Sequence, residues 1–415
     1  MTQRQPGSFL FLQGPPGPFF AHLAAGLEAE GHRCNRINFH GGDWLDWRRQ
    51  ALNFTGDLNA WPDYLDNVLT DLAVTDIILF GDCRPLHERA VTLANERRVV
   101  VHVFEEGYIR PDWVTLERGG VNGHSRLPRD PQAYLRLAEG LPAIPAYPPI
   151  PASFRQRALE ALAYFTAGWL LRPCYPRYRS HRPYPASMEF LGWALRFATR
   201  PISRVRAAIT QRRLGRNAYF VLPLQLDSDH QIRTHSPFSG MTEAIAQVVS
   251  SFARHAPADT MLVIKEHPLD NGLKGWRKVV YRIARASGVS RRTLFLEHGD
   301  IQALVTRAAG VVTVNSTTGT LALSAGTPVA VLGVAVYDLA GVTHQGELDT
   351  FWVAPGKPQL EIYDAFCRVL VSRCLLRGGF SNENARAHLL PATVAKLCQR
   401  IDVDTMDPPA RTVSA

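Results

Sequence analysis

What most constrains this chain is a repeated syntax: a short apolar, β-branched run, then a polar cluster, then a helix-like pattern. Residues 98–104 run into Glu105, Glu106 and Gly107, and residues 219–224 run into Gln225, Asp227 and Asp229. Residues 261–265 end in Lys265 and lead to Glu266, His267 and Pro268. Residues 310–314 lead to Asn315, Ser316, Thr317, Thr318 and Gly319. Runs of this length read as strands buried on both faces of a parallel sheet, alternating with helices. In open α/β sheets ligands bind beyond the carboxyl ends of the strands, and every one of these polar clusters falls at such an end.

The alternation opens at residues 8–12, passes the turn Gln13-Gly14-Pro15-Pro16-Gly17 and a helix around residues 21–27, and returns as a strand at 34–39. Gly14 and Gly17 allow the backbone to approach a ligand or a helix end closely. The spacing is neither Gly-x-Gly-x-x-Gly nor Gly-Lys-Ser/Thr, so the turn supports neither a dinucleotide fingerprint nor a P-loop. A strand at 76–80 and a helix from Pro85 continue the pattern, with Asp82, Arg84 and His87 around their junction read as structural. The domains expected are a Rossmann-like one over residues 1–130, a helical basic insertion over 131–216 and a second Rossmann-like one over 217–357. Helices follow over 358–401 and a disordered tail over 402–415. The fold class expected is α/β and GT-B-like, two doubly wound domains facing a cleft, although alternation alone fits many α/β proteins.

Residues 151–216 hold thirteen arginines against two acids, Glu160 and Glu189, with Tyr164, Trp169, Tyr178, Phe190 and Phe197 among the interleaved aromatics. Guanidiniums that meet lipid phosphates and rings that settle at headgroup depth are what an interfacial segment needs. A helical insertion with its rings packed on the core and its arginines solvated fits the same residues. No recognition helix, zinc pattern or RNA-binding motif accompanies the charge, so no nucleic-acid partner is expected.

At 415 residues and 46% hydrophobic content the chain has ample material for two cores. Its net charge of +9 asks for an anionic partner such as a nucleotide or an acidic membrane surface. No stretch is long enough to span a bilayer or laid out as an export signal, and six scattered cysteines read as reduced thiols. A cytoplasmic location is expected.

Together, Gln13-Gly14-Pro15, residues 104–112, the element from Gln225 to Asp229, His267-Pro268 and residues 316–319 resemble the KpsS/LipB family of capsule polysaccharide biosynthesis and export proteins of Gram-negative bacteria. The likeness runs from the N-terminus to about Trp352. It implies a retaining β-Kdo transferase that uses CMP-Kdo to add Kdo to lysophosphatidylglycerol, starting the poly-Kdo linker of a capsule. In the resembled enzymes the nucleophile lies in the Gln-x-x-x-Asp element, which makes it Asp229 here, with Asp227 next in line. The acid/base lies in the acid-acid-glycine element, where Glu105 and Glu106 face opposite sides of a strand and the sequence does not separate them.

Lys265, His267, Pro268 and the loop Ser316, Thr317, Thr318, Gly319 are then expected on the CMP phosphate, with Gln225 and Gly14 also in the site. Arg233, His235 and Arg110 are candidates to hold the Kdo carboxylate. No cofactor or metal is expected, because side chains and helix ends can offset phosphate charge. The implied partners are the CMP-sugar donor, a phospholipid acceptor, the inner-membrane surface, bound peripherally, and the capsule biosynthesis and export complex. Two other readings fit: a non-catalytic export partner on a degenerate transferase fold, and a CMP-sialic-acid-dependent sialyltransferase.

Overall fold

The computed structural model describes residues 5–151, 154–180, 184–226 and 230–399. The first strands are β1 (Ser8–Phe11), β2 (Arg33–Asn38), β3 (Leu52–Asn53), β4 (Asp76–Phe80), β5 (Val100–Glu106) and β6 (Trp113–Arg118). β1 to β5 run parallel in the order β3-β2-β1-β4-β5. Their period-two alternation feeds two separate cores. Leu10, Ile77, Val101 and Val103 pack with Trp61 and Leu65, while Phe9, Phe11, Ile78 and Phe104 pack with Phe19, Phe20 and Leu389. A sheet whose odd and even residues both find a core is covered on both faces, which is why its strands read as unbroken apolar runs. Each such ring or branched side chain stabilises the fold by roughly 1.5–3 kcal/mol.

The second set is β7 (Tyr219–Pro223), β8 (Met261–Lys265), β9 (Thr293–Leu296), β10 (Gly310–Thr313) and β11 (Val329–Val331). All are parallel, in the order β11-β10-β7-β8-β9. In both sheets the order reverses at the first strand, as in a Rossmann sheet. Because crossovers between parallel strands are right-handed almost without exception, the reversal places helices on opposite faces and leaves a switch point between β1 and β4 and another between β7 and β10.

Sequence periodicity did not anticipate two antiparallel strands. β6 folds back on β5, and Gly107 makes the return possible: a Cβ there would stand 2.3 Å from the carbonyl oxygen of Trp113, which accepts the Gly107 N–H at 3.0 Å. β12 (Leu375–Arg377) then pairs antiparallel with β6. The helix Glu383–Cys398 follows it and packs Leu389 and Leu397 into the core of the first sheet.

The chain therefore divides differently from the linear expectation. One compact unit holds the described residues of Met1–Leu127, Ile144–His181 and Leu370–Ala415; the other holds those of Pro128–Ala143 and Arg182–Val369. The stretch expected as one insertion over 131–216 is shared out. Its helix Phe154–Leu170 belongs to the first unit and its helix Ala186–Leu214 to the second.

Candidate functional site

Parallel strands that stop together present their last residues along one edge. At both switch points a buried glutamine two residues beyond the first strand ties that strand to its neighbour. In the first unit Gln13 Oε1 accepts from Arg84 Nη1 at 3.0 Å. In the second, Gln225 Nε2 donates to Asn315 Oδ1 at 2.7 Å, and Gln225 Oε1 accepts the Asn315 backbone N–H at 3.1 Å. Gln225 is thus bound to the start of the Ser/Thr loop.

Next to β4, β5 delivers the acidic pair. Glu106 shares a face with Phe104 and Glu105 with Val103, as strand alternation requires. Glu106 is gripped from two sides: Oε2 accepts from Arg110 Nη1 at 2.6 Å and Oε1 from Arg157 Nη2 at 3.1 Å. Burial pushes its pKa upward, but the two guanidiniums outweigh burial and hold the carboxyl below the ordinary glutamate value. Arg110, a candidate for a sugar carboxylate, is thereby engaged by a protein carboxylate. Glu105 Oε1 accepts the Glu106 N–H at 2.9 Å. Its other oxygen lies 3.6 Å from where a Cβ on Gly81 would stand, with Arg84 Nε 4.0 Å from the same point.

A polar cluster that sequence reading did not find lies at the ends of β1 and β2. Asp43, with no exposed surface, accepts from the Phe39 N–H at 3.0 Å and the Tyr164 hydroxyl at 2.9 Å, and pairs with Arg36 Nη2 at 3.3 Å. Burial works to raise its pKa, yet His40, Arg36 and these hydrogen bonds bring it below the usual aspartate value. Tyr178 packs on the His40 ring with centroids 4.8 Å apart, and its hydroxyl accepts from Gln13 Nε2 at 3.2 Å. The signal in the sequence is His40-Gly41-Gly42-Asp43. A Cβ on Gly41 would lie 2.3 Å from the Ala167 carbonyl oxygen, and one on Gly42 2.6 Å from that of Tyr164. The glycine pair lets the helix Phe154–Leu170 press against this turn, so Tyr164 and Tyr178 serve packing rather than a lipid surface.

Gly14 has a similar explanation. A Cβ there would meet the Phe20 ring at 2.7 Å, so the residue makes room for a ring of its own unit. Asp82 accepts the Val121 N–H at 3.1 Å and pairs with His124 Nδ1 at 3.0 Å, a loop closure that suits a structural role.

In the second unit the loop after β10 is internally braced. Ser316 Oγ accepts the Thr318 N–H at 3.1 Å, the Ser316 N–H donates to Thr313 Oγ1 at 3.1 Å, and the Tyr337 hydroxyl donates to the Ser316 carbonyl at 2.6 Å. Thr317, at the N-cap of the seven-residue helix Thr318–Ser324, makes no side-chain cap. Gly319 faces Tyr337, whose hydroxyl would lie 2.4 Å from an added Cβ. His267 Nδ1 accepts the Leu269 N–H at 3.1 Å, so in the neutral ring the proton sits on Nε2, which is then a donor. Pro268 beside it is exposed.

Lys265 turns inward. Its ammonium donates to the carbonyls of Glu266 at 2.9 Å and Glu297 at 3.4 Å, and burial lowers its pKa to about 8. Arg233 is exposed on the short helix His230–Thr234, while His235 is buried and its carbonyl accepts the Val334 N–H at 2.7 Å. Asp227 and Asp229 lie outside the described residues.

Residues 75–381 match the family described as capsule polysaccharide biosynthesis protein. The chain is 36% identical over 362 residues to the capsule polysaccharide export protein KpsS of Escherichia coli, covering 86% of this chain and 92% of that protein. It is 33% identical over 387 residues to the capsule polysaccharide modification protein LipB of Neisseria meningitidis, covering 91% and 92%. Among solved structures it is similar to KpsC of Thermosulfurimonas dismutans, a β-Kdo 2,7 transferase, at 15% identity and a TM-score of 0.43 over 93% of this chain and 98% of that one. A likeness of that depth adds nothing to what the strand order already establishes.

Proposed function

Because the chain belongs to the capsule polysaccharide biosynthesis protein family, we propose that it is a retaining β-Kdo transferase that moves Kdo from CMP-Kdo to lysophosphatidylglycerol at the inner-membrane surface, starting a capsule's poly-Kdo linker. The observation that supports this reading is the position of the Glu105–Glu106 pair at the carboxyl end of β5, of His267 just after β8 and of Ser316 and Thr318 just after β10, the strand edge at which α/β sheets bind ligands.

In the proposed reaction the Asp229 carboxylate attacks the anomeric carbon of Kdo, the bond to the phosphate oxygen breaks, and CMP leaves with the electron pair. The acceptor hydroxyl then attacks the same carbon, its proton passes to a second carboxylate, and Asp229 is released. Two inversions give retention. Glu105 is the better acid/base, since Glu106 is held ionised by Arg110 and Arg157 and is suited to positioning. His267 donates from Nε2 to the CMP phosphate, and the Ser316 and Thr318 hydroxyls complete its cradle without a cation.

The test is to incubate purified protein with lysophosphatidylglycerol and either CMP-Kdo or CMP-sialic acid, and to weigh the lipid product by mass spectrometry. One added Kdo is expected, retained in EDTA and reduced about 10³-fold in Asp229→Asn. Product from CMP-sialic acid alone would make the chain a sialyltransferase. No product from either donor would leave an export partner without catalysis.

A further inference from the structure

The 29-residue helix Ala186–Leu214 is docked by its polar side and turns its apolar side to solvent. Toward its own unit it sends Arg196 to Glu266 at 2.9 Å, Ser203 to His298 at 2.7 Å and Arg206 to Glu297 at 3.1 Å, with Ala207 and Thr210 buried alongside. Away from the unit stand Met188, Leu191, Leu195, Ile202, Val205 and Ile209, from 45% to 61% exposed. Their spacing alternates three and four once Ala198 fills the gap, so they form one stripe along the whole helix. Exposed Phe190 and Phe197 widen it. Surface helices ordinarily place these two faces the other way round.

The charge around the stripe says what covers it. Arg204 and Arg200 stand beyond the edge that Phe190 and Phe197 form, and Arg212 and Arg213 stand at the C-terminal end, all exposed, whereas the only acid of the helix is Glu189, near its start. We infer that this face is a lipid-docking surface, its aliphatic and phenyl groups entering the headgroup boundary of an anionic membrane while the arginines meet lipid phosphates. A second copy fits less well. An antiparallel pair crossing at mid-helix brings the Arg200–Arg204 edge onto the same edge of the other copy, with Glu189 too far along to relieve the repulsion. No described helix is long and apolar enough to cross a bilayer, so this one lies along the surface. The inference deepens the lipid-acceptor reading and rests on it for its purpose, since a surface-bound enzyme meets a membrane lipid by diffusion in two dimensions.

The experiment is co-sedimentation of the full-length protein, without donor or acceptor, with vesicles of phosphatidylcholine alone or mixed with phosphatidylglycerol. The parent is expected to pellet with the anionic vesicles and to be released by salt. Ile202→Glu with Val205→Glu is expected to weaken partitioning at least tenfold while thermal melting stays unchanged, because both side chains face solvent. Arg200→Gln with Arg204→Gln is expected to weaken it about fivefold per arginine and keeps the test open should the first variant misfold. Pelleting equal to the parent in both variants would overturn the inference. So would a lipid-free dimer of the parent, seen by light scattering and dissolved by the glutamate pair. Transfer to a monomeric short-chain lysophospholipid reports on the enzyme separately: if the parent binds vesicles but transfers nothing, the transferase reading falls and the docking surface stands.

Discussion

Gln225 Nε2 and Asn315 Oδ1 lie 2.7 Å apart across the β7–β10 switch point, and the Asn315 N–H returns a bond to Gln225 Oε1 at 3.1 Å. The first unit does the same job with Gln13 and Arg84 between β1 and β4. A primary amide suits this place because it both donates and accepts, and Asn315 offers it an acceptor in Oδ1 and a donor in its N–H.

Gln225→Met keeps the volume and removes both bonds, leaving the Asn315 amide groups to find other partners in a half-buried setting. A loss of about 1–3 kcal/mol is expected from the midpoint of urea unfolding. Gln225→Glu should lose as much or more, because a carboxylate cannot donate to Asn315 Oδ1. An unchanged midpoint in both variants would show that the bridge contributes nothing to stability.

Most strands were legible because a short buried run has a composition of its own. The apolar runs at residues 76–80 and 261–265 coincide end to end with β4 and β8. β12 is hidden for a reason outside the local sequence, since it finds β6 only after the chain has passed through the other unit and returned, whereas β6 pairs locally with β5 across the turn at Gly107. The candidate site divides the same way. Glu105, Gln225 and His267 stand out because polar groups interrupt apolar runs there. Asp43 does not, since its partner Tyr164 lies 121 residues away. Gly14 and Gly319 also stand against Phe20 and Tyr337, contacts that no single-sequence pattern announces.

The Asp43–Tyr164 bond fixes the helix Phe154–Leu170 to its unit. Tyr164→Phe removes one of several donors to a buried carboxylate and should cost about 1–3 kcal/mol. Asp43→Ala leaves the buried Arg36 guanidinium unpaired and should cost about 3–5 kcal/mol. Calorimetric melting of the two variants checks the ranking; equal losses would mean that Asp43 does not hold Arg36.

Asp46 accepts the Gly17 N–H at 2.7 Å, and burial raises its pKa to about 7, only partly opposed by that bond and by Arg36. The folded chain therefore keeps a proton that the unfolded chain gives up near 3.8, so this group's contribution to stability falls as pH rises from about 4 to about 7 and is level outside that window. The slope is at most about 1.4 kcal/mol per pH unit, reduced by the partial exposure of the group. Asp46→Asn removes the titration while an amide oxygen still accepts from Gly17. The variant should match the parent's unfolding midpoint at acidic pH and exceed it at pH 8; a constant offset across the range would exclude Asp46 as the titrating group.

Glu105 and Glu106 can be told apart by rate and pH together. If Glu105 transfers the proton, Glu105→Gln should lower kcat by about 10²–10⁴-fold and remove the acidic limb of the kcat–pH profile. Glu106→Gln has a different consequence. It takes away the charge that faces Arg110 and Arg157 while keeping the shape, so those guanidiniums shift and the neighbouring strand end loosens. A smaller loss is expected, carried mostly by KM, with the acidic limb still in place. The reverse assignment would appear as a flat profile in Glu106→Gln, and would mean that substrate binding draws Arg110 and Arg157 away from Glu106 and raises its pKa into the working range.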